Sequence, residues 1–409
     1  MITFKQHIVE QKNTHMTHSE DSVLYGGVEG VRSAIMSMRA LRDMLNGNVN
    51  KSYDQTLKWD GAPAVFAGID PSDGKFFVAK KGIFNKSPMV YKTNADIDND
   101  TSGDLNAKLK LALAELPKLG ITGVVQGDFL FSNADLKSEN IDGEDYITFH
   151  PNTIVYAVQA AADEAKKMQA AKIGIVWHTS YSGSSFENMS AKYGVDSSKF
   201  RKVKSVYSID AGVKNLSGTV TLTTKDYNEV TKALSLAGKA FNKVKSKDLK
   251  LLLDNKKLAN VIEIFSNSKV REGKAIDNPA KHAKDFYSFA EARFDKEVDK
   301  VKTPAAKERK QQEKEDNMRF YKSLDMVSIF GLQKGLVEAK IMLLSKISNL
   351  TKSKTFVKTS DGFKVTGHEG LVVIDKTSGG AYKLVDRLEF SKNNFSPDII
   401  KGWESSRRG

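Results

Sequence analysis

The 409-residue sequence predicts an α+β protein in which strand-rich first and last parts flank a long helical region. Short apolar runs separated by turn residues recur before residue 224 and again after residue 350, whereas helical spacing dominates between them. The composition, with 40% hydrophobic and 28% charged residues, is that of a globular chain with a sizeable core. The class of fold follows from these observations.

Charge and cysteine content limit the partners and the compartment. The net charge is +13, which favours a polyanionic partner, nucleic acid first and a membrane surface second. The sequence contains no cysteine, which excludes disulfides, zinc–cysteine sites and thiol nucleophiles and fits a reducing cytoplasm. Its longest apolar stretches are far shorter than the roughly 20 residues of a membrane span. We therefore expect a cytoplasmic protein without membrane or disulfide partners.

The first part of the chain divides into an N-terminal helical segment, 1–50, and a mixed α and β part, 51–223. Apolar residues at spacings of three and four predict a helix over 28–45. Pro71-Ser72-Asp73-Gly74 predicts a hairpin turn, because proline presets φ and glycine accepts a positive φ. A further helix is predicted over 105–116, and strands are predicted over 64–67, 75–79, 124–131, 153–158 and 173–178.

The remaining chain divides at residue 350. Residues 224–350 follow a capping box that pairs Thr223 with Asp226, and their apolar helical faces predict a separately packed helical unit. The charged run 296–315 indicates a solvated helix or a linker. Residues 351–409 return to strands over 356–365, 370–374 and 381–385, which we expect to complete the sheets of 51–223.

Five short motifs supply the candidate chemical residues. Leu57-Lys58-Trp59-Asp60-Gly61 places a lysine between a strand and a glycine turn, from which its amine can project into a cleft. Alone, K-x-D-G is a weak signal, because a surface hairpin with an exposed lysine has the same pattern. The other four motifs are Ala79-Lys80-Lys81-Gly82, Gln126-Gly127-Asp128-Phe129, His368-Glu369-Gly370 and Tyr382-Lys383-Leu384.

In this order and strand context, the five motifs resemble motifs I, Ia, III, IV and V of the covalent nucleotidyltransferase superfamily. That superfamily contains ATP-dependent DNA ligases, RNA ligases and capping guanylyltransferases. The resemblance covers roughly 50–160 and 355–390. It implies a ligase-type adenylyltransferase core of antiparallel sheets with flanking helices, split by a large α-helical insertion at 224–350. It also implies ATP as AMP donor with Mg²⁺ or Mn²⁺, and nucleic-acid ends with a 5′-phosphate and a 3′-hydroxyl as substrate.

The resemblance implies two catalytic lysines and two metal ligands. Lys58 attacks the α-phosphate of ATP to form a lysyl–AMP phosphoramidate. AMP then passes to a 5′-phosphate, and a 3′-hydroxyl displaces it. Lys383, together with a metal ion, is expected to lower the pKa of Lys58 and to neutralise charge on the α-phosphate. Glu369 positions the metal, and Asp128 is both a ribose contact and a second metal ligand.

The resemblance also implies an ATP-binding set around these residues. Asp60 and Gly61 belong to the motif that holds the nucleotide, and the adenine is expected near the backbone of Leu57. Lys81, or Lys80 beside it, stands where RNA ligases contact the sugar or the phosphates. Tyr156 is the candidate for stacking on the adenine, although a tyrosine in a strand is also typical of a hydrophobic core.

The departures from the family pattern favour a phage-type RNA ligase. Pro63 and Val385 replace an arginine and a lysine of DNA ligases, and Arg387 could compensate for the lysine. Only 26 residues follow Lys383, too few for a C-terminal OB-fold, and the helical insertion could then clamp nucleic acid. The N-terminal pattern, which contains Thr14-His15-Met16-Thr17-His18-Ser19-Glu20-Asp21, looks like proteins of large tailed phages acting in the host cytoplasm. Alternatives are a DNA or mixed RNA–DNA ligase, a guanylyltransferase and a non-catalytic basic phage protein that binds nucleic acid.

Overall fold

The computed structural model describes residues 17–47, 53–85, 87–212, 222–347, 354–375 and 381–402, so 14–16 of the N-terminal pattern lie outside the described residues. The protein is a mixed α+β structure, as predicted. The strands are β1 Thr17–His18, β2 Tyr53–Lys58, β3 Ala64–Ile69, β4 Phe76–Ala79, β5 Val124–Ser132, β6 Lys137–Ile141, β7 Glu144–Phe149, β8 Ile154–Gln159, β9 Ile173–Ser182, β10 Ser190–Tyr193, β11 Val206–Asp210, β12 Lys354–Thr359, β13 Gly362–Val365, β14 Gly370–Asp375, β15 Ala381–Val385 and β16 Ile399–Ile400. The helices are α1 Ser22–Tyr25, α2 Gly27–Leu45, α3 Asn94–Asp100, α4 Gly103–Glu115, α5 Asp163–Ala170, α6 Thr224–Lys243, α7 Ser246–Asp254, α8 Lys256–Arg271, α9 Pro279–Asp299, α10 Pro304–Ser323, α11 Met326–Ile347 and α12 Arg387–Phe395.

The strands form three sheets. The four-stranded sheet has the order β1-β15-β14-β2. One six-stranded sheet has the order β10-β9-β5-β3-β4, with β11 also beside β9. The other has the order β13-β12-β8-β7-β6, with β16 also beside β12. Pairing is antiparallel except between β1 and β15 and between β11 and β9. Because β14 pairs with β2 and β12 with β8, strands that follow the helices complete sheets begun before them.

Local signals explain where the predicted elements begin and end. The turn between β3 and β4 closes as predicted, with a positive φ of 71° at Gly74. The predicted capping box opens α6, since the Thr223 hydroxyl accepts a hydrogen bond from Asp226 N at 3.1 Å. The charged run 296–315 is helical on both sides of a break at Thr303, which caps α10 before Pro304. These boundaries depend on residues close together in sequence, which is why the sequence predicts them.

The hairpin of β6 and β7 was not predicted. Its strands carry exposed polar residues at several positions, so the alternation of apolar and polar residues is weak. The turn itself carries a signal, because Asp142 and Gly143 both have positive φ, 52° and 84°. An Asp-Gly pair between two runs is a strong hairpin signal, and it would have found both strands.

The prediction of a separately packed helical unit is wrong. One continuous hydrophobic core joins the helices from α6 to α11 to α1, α2 and the four-stranded sheet. Leu371, Val373 and Leu384 of that sheet belong to it, together with Leu234, Phe286 and Leu336 of the helices. The helices therefore cover one face of the sheet.

None of the helices in the described part of the chain is long and apolar enough to cross a membrane.

Candidate active site

Lys58 and Glu369 meet where two strands pair at their ends. Lys58 is the last residue of β2 and lies opposite Gly370, the first residue of β14, so Glu369 directly precedes the paired position. Lys58 Nζ lies 2.5 Å from Glu369 Oε2, and the exposed fractions of the two side chains are 26% and 7%. The motif lysine is therefore not an exposed residue on a surface turn. It forms a largely buried ion pair with the carboxylate of a distant motif.

Lys58, Lys383 and His18 lie on one side of the four-stranded sheet, which we call the charged face. On β14, Gly370 is paired with Lys58 and Val372 is paired with Lys383. Gly370 and Val372 are two residues apart and share a face of the strand, so Lys58 and Lys383 lie on that face as well. His18 in β1 is the register partner of Lys383. The alternate residues belong to the core that the helices cover: Leu371, Val373 and Leu384. Strand alternation thus separates the charged residues from the apolar ones.

The expectation that the pKa of Lys58 is lowered is wrong. Burial alone would lower it, but the adjacent Glu369 carboxylate, with smaller contributions from Asp128 and Asp60, raises the pKa of Lys58. Burial raises the pKa of Glu369 to about 7, although the Lys58 ammonium opposes this shift. The lysine whose pKa is lowered is Lys383, because it is buried and faces the charge of Lys58. The pair therefore holds a protonated amine beside a carboxylate that accepts a proton near neutral pH.

Asp60 anchors the turn that follows Lys58. Its buried carboxylate accepts hydrogen bonds from Asn152 Nδ2 at 2.8 Å, Thr153 N at 2.8 Å and Ile154 N at 3.0 Å. These donors lie at the start of β8, so Asp60 ties the strand that carries Lys58 to a second sheet. Its acceptor sites are directed at the protein, which makes Asp60 a positioning residue rather than the nucleotide contact we expected.

Tyr156 does not present a face for base stacking. Its side chain is fully buried, and its hydroxyl accepts a hydrogen bond from Asp60 N at 2.7 Å. Its ring packs between Trp59, at 4.7 Å between centroids, and Phe149, at 5.2 Å. The prediction that Tyr156 stacks on the adenine is therefore corrected to the core role. Among these rings, Trp59 is the partly exposed one.

Gly61 brings Asp128 close to Lys58. The loop after Gly61 runs along β5, where Ala62 N donates to Phe129 O at 3.0 Å. A Cβ on Gly61 would lie only 2.6 Å from the Cβ of Asp128, so the approach requires glycine. Asp128 is 23% exposed, lies 3.7 Å from His178 Nε2 and contributes to the raised pKa of Lys58. The structure thus brings Asp128 near Lys58; that Asp128 binds the ribose or a metal ion stays a prediction.

The two lysines of the second motif have different surroundings. Lys80 Nζ forms an ion pair with Asp100 Oδ2 at 2.8 Å and lies 5.9 Å from the centre of the Tyr91 ring. Lys81 begins a short 3₁₀ helix and is exposed. Of the alternatives Lys80 and Lys81, the structure therefore leaves Lys81 as the residue accessible to a phosphate. Leu57 lies in β2, the end strand of its sheet, opposite Leu371.

A second charged cluster lies next to Lys383, and the sequence did not predict it. Glu20, in the N-terminal segment, accepts hydrogen bonds from Lys340 Nζ at 2.7 and 2.8 Å. Both residues are buried. Arg387 Nη1 lies 3.1 Å from Asp21 Oδ1 and 3.4 Å from Glu20 Oε1. This cluster joins the N-terminal segment to the helices and to the residues that follow β15.

The charges of this cluster act on Lys383 and on its strand partner His18. Burial lowers the pKa of His18 well below its usual range, so the imidazole is neutral at pH 7. Arg387 lowers and Asp21 raises the pKa of Lys383, after the larger effect of burial. The two cationic partners of Glu20 are 320 and 367 positions away in sequence, so no local pattern could have found them.

Three carboxylates lie near Lys58, and they come from different parts of the fold: the turn after β2, strand β5 and the residue before β14. Glu369, Asp128 and Asp60 all act on the Lys58 ammonium, but only the first two remain available to a ligand, because Asp60 is bonded to the protein. Within the described residues, no three histidine, aspartate or glutamate side chains lie close enough together to hold a metal ion by themselves. Any ion here would depend on further oxygen ligands from its substrate or from water.

The fold and the site define a mixed α+β protein with a buried lysine–carboxylate pair on one face of a sheet. Comparison with protein families assigns the chain to one family. It belongs to the family described as a family of unknown function, DUF6267, which matches residues 13–398. No curated protein and no solved structure matches the chain.

Proposed function

We propose that this protein is an ATP-dependent polynucleotide ligase that acts through a covalent lysyl–AMP intermediate. RNA is the substrate that we favour over DNA. The observation that carries the proposal is that Lys58, Glu369 and Lys383 act on one another at one sheet face. They come from three motifs distributed over more than 300 residues, and they are the residues to which the resemblance assigns the nucleophile, the metal-positioning carboxylate and the phosphate-binding cation. A surface hairpin does not account for their burial together.

In the first step, Lys58 Nζ attacks the α-phosphorus of ATP. A P–N bond forms, the bond from the α-phosphorus to the β-phosphate oxygen breaks, and pyrophosphate leaves. The lysine must lose a proton, and Glu369 is the acceptor at 2.5 Å. Because the pKa of Glu369 is raised to about 7, its carboxylate takes this proton more readily than an ordinary glutamate would. The same ion pair keeps Lys58 protonated before ATP enters.

Lys383 stabilises the charge that develops in this step. It lies on the same sheet face as Lys58, and an incoming phosphate favours its charged form over the neutral form that burial favours. Mg²⁺ that accompanies ATP would neutralise phosphate charge; Asp128 would hold it in this step, and Glu369 would bind it only in its unprotonated form, before it takes the proton of Lys58. One or two carboxylates suffice, since Mg²⁺ takes its other ligands from phosphates and water.

The two following steps join the nucleic-acid ends. A 5′-phosphate oxygen attacks the phosphorus of lysyl–AMP, the P–N bond breaks, and Lys58 regains a proton. A 3′-hydroxyl then attacks the 5′-phosphorus, its proton leaves, and AMP departs as the phosphodiester forms. The net charge of +13 supports a polyanionic substrate, and exposed lysines where α6 ends and α7 begins supply a clamp: Lys243, Lys245 and Lys247. We further propose a phage-encoded protein that acts in the host cytoplasm, on the resemblance of its N-terminal pattern.

The test is incubation with α-labelled ATP or GTP and Mg²⁺, followed by denaturing electrophoresis. We expect a labelled band with ATP and none with GTP. Lys58→Arg keeps a cation beside Glu369 but provides no nucleophilic amine at neutral pH, so it should lose the label while its fold persists. Lys358→Ala, which removes a lysine from β12 in another sheet, is the matched control and should label normally.

Each outcome separates the proposal from its alternatives. A wild-type band with GTP alone would favour the guanylyltransferase. No band with either nucleotide would favour the non-catalytic nucleic-acid-binding protein. Joining of 5′-phosphorylated RNA and of DNA strands, compared in the same preparation, separates an RNA ligase from a DNA or mixed ligase.

A further inference from the structure

The pairing of β5 with β9 contains an irregularity at a histidine. Gln126 pairs with Thr179, but the next residue, Gly127, pairs with Trp177, so His178 is an extra residue on β9. Such a β-bulge redirects side chains that strict alternation would send to opposite faces. The side chains of His178 and Thr179 accordingly meet, with 2.8 Å between Nδ1 of the imidazole and Oγ1 of the threonine.

The backbone around the bulge is fixed by its neighbours. Gly194 N donates a hydrogen bond to His178 O at 2.8 Å. Trp177, which precedes the bulge, is fully buried, and its Nε1 donates to Ser208 Oγ at 3.0 Å. On the facing strand, a Cβ on Gly127 would lie only 2.8 Å from Trp177 Cε3, so this close packing requires glycine. The position of the imidazole is therefore set by a central strand of the sheet.

The bulge directs the imidazole of His178 at Asp128. His178 Nε2 lies 3.7 Å from Asp128 Oδ2, and the exposed fractions of the two side chains are 20% and 23%. This separation is longer than a hydrogen bond, so neither atom is used by the other, and both are accessible to a ligand. Asp128 also acts on the Lys58 ammonium, which places the pair beside the proposed nucleophile.

The two facing atoms have complementary hydrogen-bonding roles. A carboxylate oxygen only accepts. The Thr179 hydroxyl can donate to His178 Nδ1, which leaves Nε2 as the N–H donor of the neutral ring, and in the charged ring both nitrogens donate. An acceptor, Asp128 Oδ2, and a donor, His178 Nε2, thus border the same space.

This pair of roles selects the chemistry of the ligand. An oxygen at about 2.8 Å from both atoms must donate to the carboxylate and accept from the imidazole. A hydroxyl group does both. An ionised phosphate oxygen has no hydrogen for the carboxylate and carries the same charge, and an ammonium group has no lone pair for the imidazole.

We propose that Asp128 and His178 together bind a sugar hydroxyl, and that His178 determines the selectivity of this site for sugars that carry it. The resemblance implies only the ribose contact of Asp128, and the imidazole supplies a second bond to the same oxygen. A sugar without the hydroxyl leaves two polar groups without a partner, which a site of this kind rejects.

The hydroxyl belongs to one of two sugars. One is the ribose of ATP, which is bonded to the α-phosphate that Lys58 attacks. The other is the 3′-terminal sugar of the strand to be joined. Both assignments rest on the proposed ligase function, whereas the hydroxyl-binding pair rests on the geometry of Asp128 and His178.

The experiment measures binding without Mg²⁺, so that its result is independent of labelling at Lys58. ATP, 2′-deoxy-ATP and 3′-deoxy-ATP are titrated by calorimetry. We expect the wild type to bind one of the deoxynucleotides roughly tenfold or more weakly than ATP. His178→Asn retains an amide beside Thr179 but has no atom at the position of Nε2. It should reduce this discrimination severalfold by weakening ATP, while the disfavoured deoxynucleotide binds as in the wild type.

Two further variants distinguish a sugar contact from a structural role. His178→Gln places an amide nitrogen near the position of Nε2 and should restore most of the discrimination. Ser180→Ala removes a hydroxyl of the same strand that donates to Lys192 O at 3.3 Å, and as the matched control it should change nothing. A merely structural histidine would weaken all three nucleotides by the same factor and would not be rescued by glutamine.

Thermal unfolding shows whether each variant is folded. Should His178→Asn not fold, Thr179→Val is the second variant. It removes the hydroxyl that orients the imidazole and should reduce the discrimination as well, by a smaller factor.

A second set of ligands identifies which sugar is bound. Fluorescein-labelled RNA strands that end in a ribose, a 2′-deoxyribose or a 3′-deoxyribose are compared by anisotropy with the same variants. Discrimination that depends on His178 among the nucleotides identifies the ribose of ATP, and discrimination that depends on it among the strands identifies the 3′-terminal sugar.

The remaining outcomes decide between this proposal and the ligase. If the wild type discriminates among neither the nucleotides nor the strands, or if His178→Asn discriminates as the wild type does, the hydroxyl site is overturned, and labelling of Lys58 would leave the ligase standing. A protein whose discrimination depends on His178 but which never becomes labelled would contradict the ligase and leave the hydroxyl site standing.

Discussion

The charged face of the four-stranded sheet and the surface of the helices use charge in opposite ways. On the helices, many ion pairs join residues three or four apart, such as Lys250 with Asp254 and Lys310 with Glu313, and at least one partner is exposed. Lys58 of the sheet pairs with Glu369, and in the adjacent charged cluster Lys340 of α11 pairs with Glu20 of the N-terminal segment; the pairs span about 310 and 320 positions, and both are largely buried. Exposed pairs of the first kind contribute little to stability, whereas breaking a buried pair is costly. The buried pairs therefore fix the tertiary structure, whereas the exposed pairs on the helix surfaces mainly solvate it.

The strongest test of this comparison removes the helices. Replacing residues 224–347 with a short linker should abolish cooperative folding, because Leu371, Val373 and Leu384 of the sheet would lose the core that covers them. Circular dichroism and thermal unfolding of the deletion protein measure this directly. A soluble deletion protein that still forms a labelled adenylate would show that the helices pack as a separate unit.

Breaking the most buried pair should have the next largest effect. Glu20→Gln leaves Lys340, which is 1% exposed, without its counter-charge. It also removes the ion pair between Glu20 and Arg387. We expect a loss of about 3–5 kcal/mol in the free energy of unfolding. Asp163→Asn, which breaks the exposed pair with Lys166, should cost less than about 0.5 kcal/mol. Equal losses in the two variants by urea unfolding would remove the distinction between the two regions.

The pair at Lys58 should produce a pH dependence of stability. Burial raises the pKa of Glu369 from 4.5 to about 7, so the folded state favours its protonated form. Its contribution to stability is therefore complete below about pH 4.5 and is lost as the pH rises through about 7. Relative to Glu369→Gln, which does not titrate, the free energy of unfolding of the wild type should fall over this range by up to about 3 kcal/mol. A difference that stays constant between pH 4.5 and pH 8 in urea titrations would contradict the raised pKa.

A smaller effect is expected where the backbone approaches the charged face. Gly61→Ala places a Cβ 2.6 Å from that of Asp128, which forces the turn after Lys58 to shift. We expect a loss of roughly 1–3 kcal/mol in stability and slower self-adenylation. Gly143→Ala, at an exposed hairpin turn with nothing within 4 Å of the added Cβ, is the comparison: strain at its positive φ should destabilise it without slowing adenylation. If both variants adenylated at the same rate, the approach to Asp128 would have no part in the chemistry.

The smallest effect belongs to the exposed lysines of the helices. Each of Lys243→Gln, Lys245→Gln and Lys247→Gln should leave the fold unchanged. If these residues contact phosphates, each variant should reduce the magnitude of the salt slope of log K for polynucleotide binding by roughly 0.7 to 0.9. Unchanged slopes for all three variants would show that their charges only solvate α6 and α7, and would remove them from the proposed clamp.

The sequence by itself predicted the elements whose causes are local. The hairpin at Gly74, the cap at Thr223 and the helix break at Thr303 each depend on residues within a few positions of one another. The motifs also single out Lys58, Glu369 and Lys383, of which the structure pairs Lys58 with Glu369. Local backbone chemistry and strand alternation are sufficient for such predictions.

How these residues affect one another depends on the assembled fold. Burial beside Glu369 reverses the expected direction of the Lys58 pKa, and burial between Trp59 and Phe149 makes Tyr156 a core residue. The cationic partners of Glu20 lie more than 300 positions away. A pKa shift and a buried ion pair depend on desolvation by surrounding chain that is distant in sequence. Such surroundings arise only when the helices close over one face of the sheet and leave the other face to the charged residues.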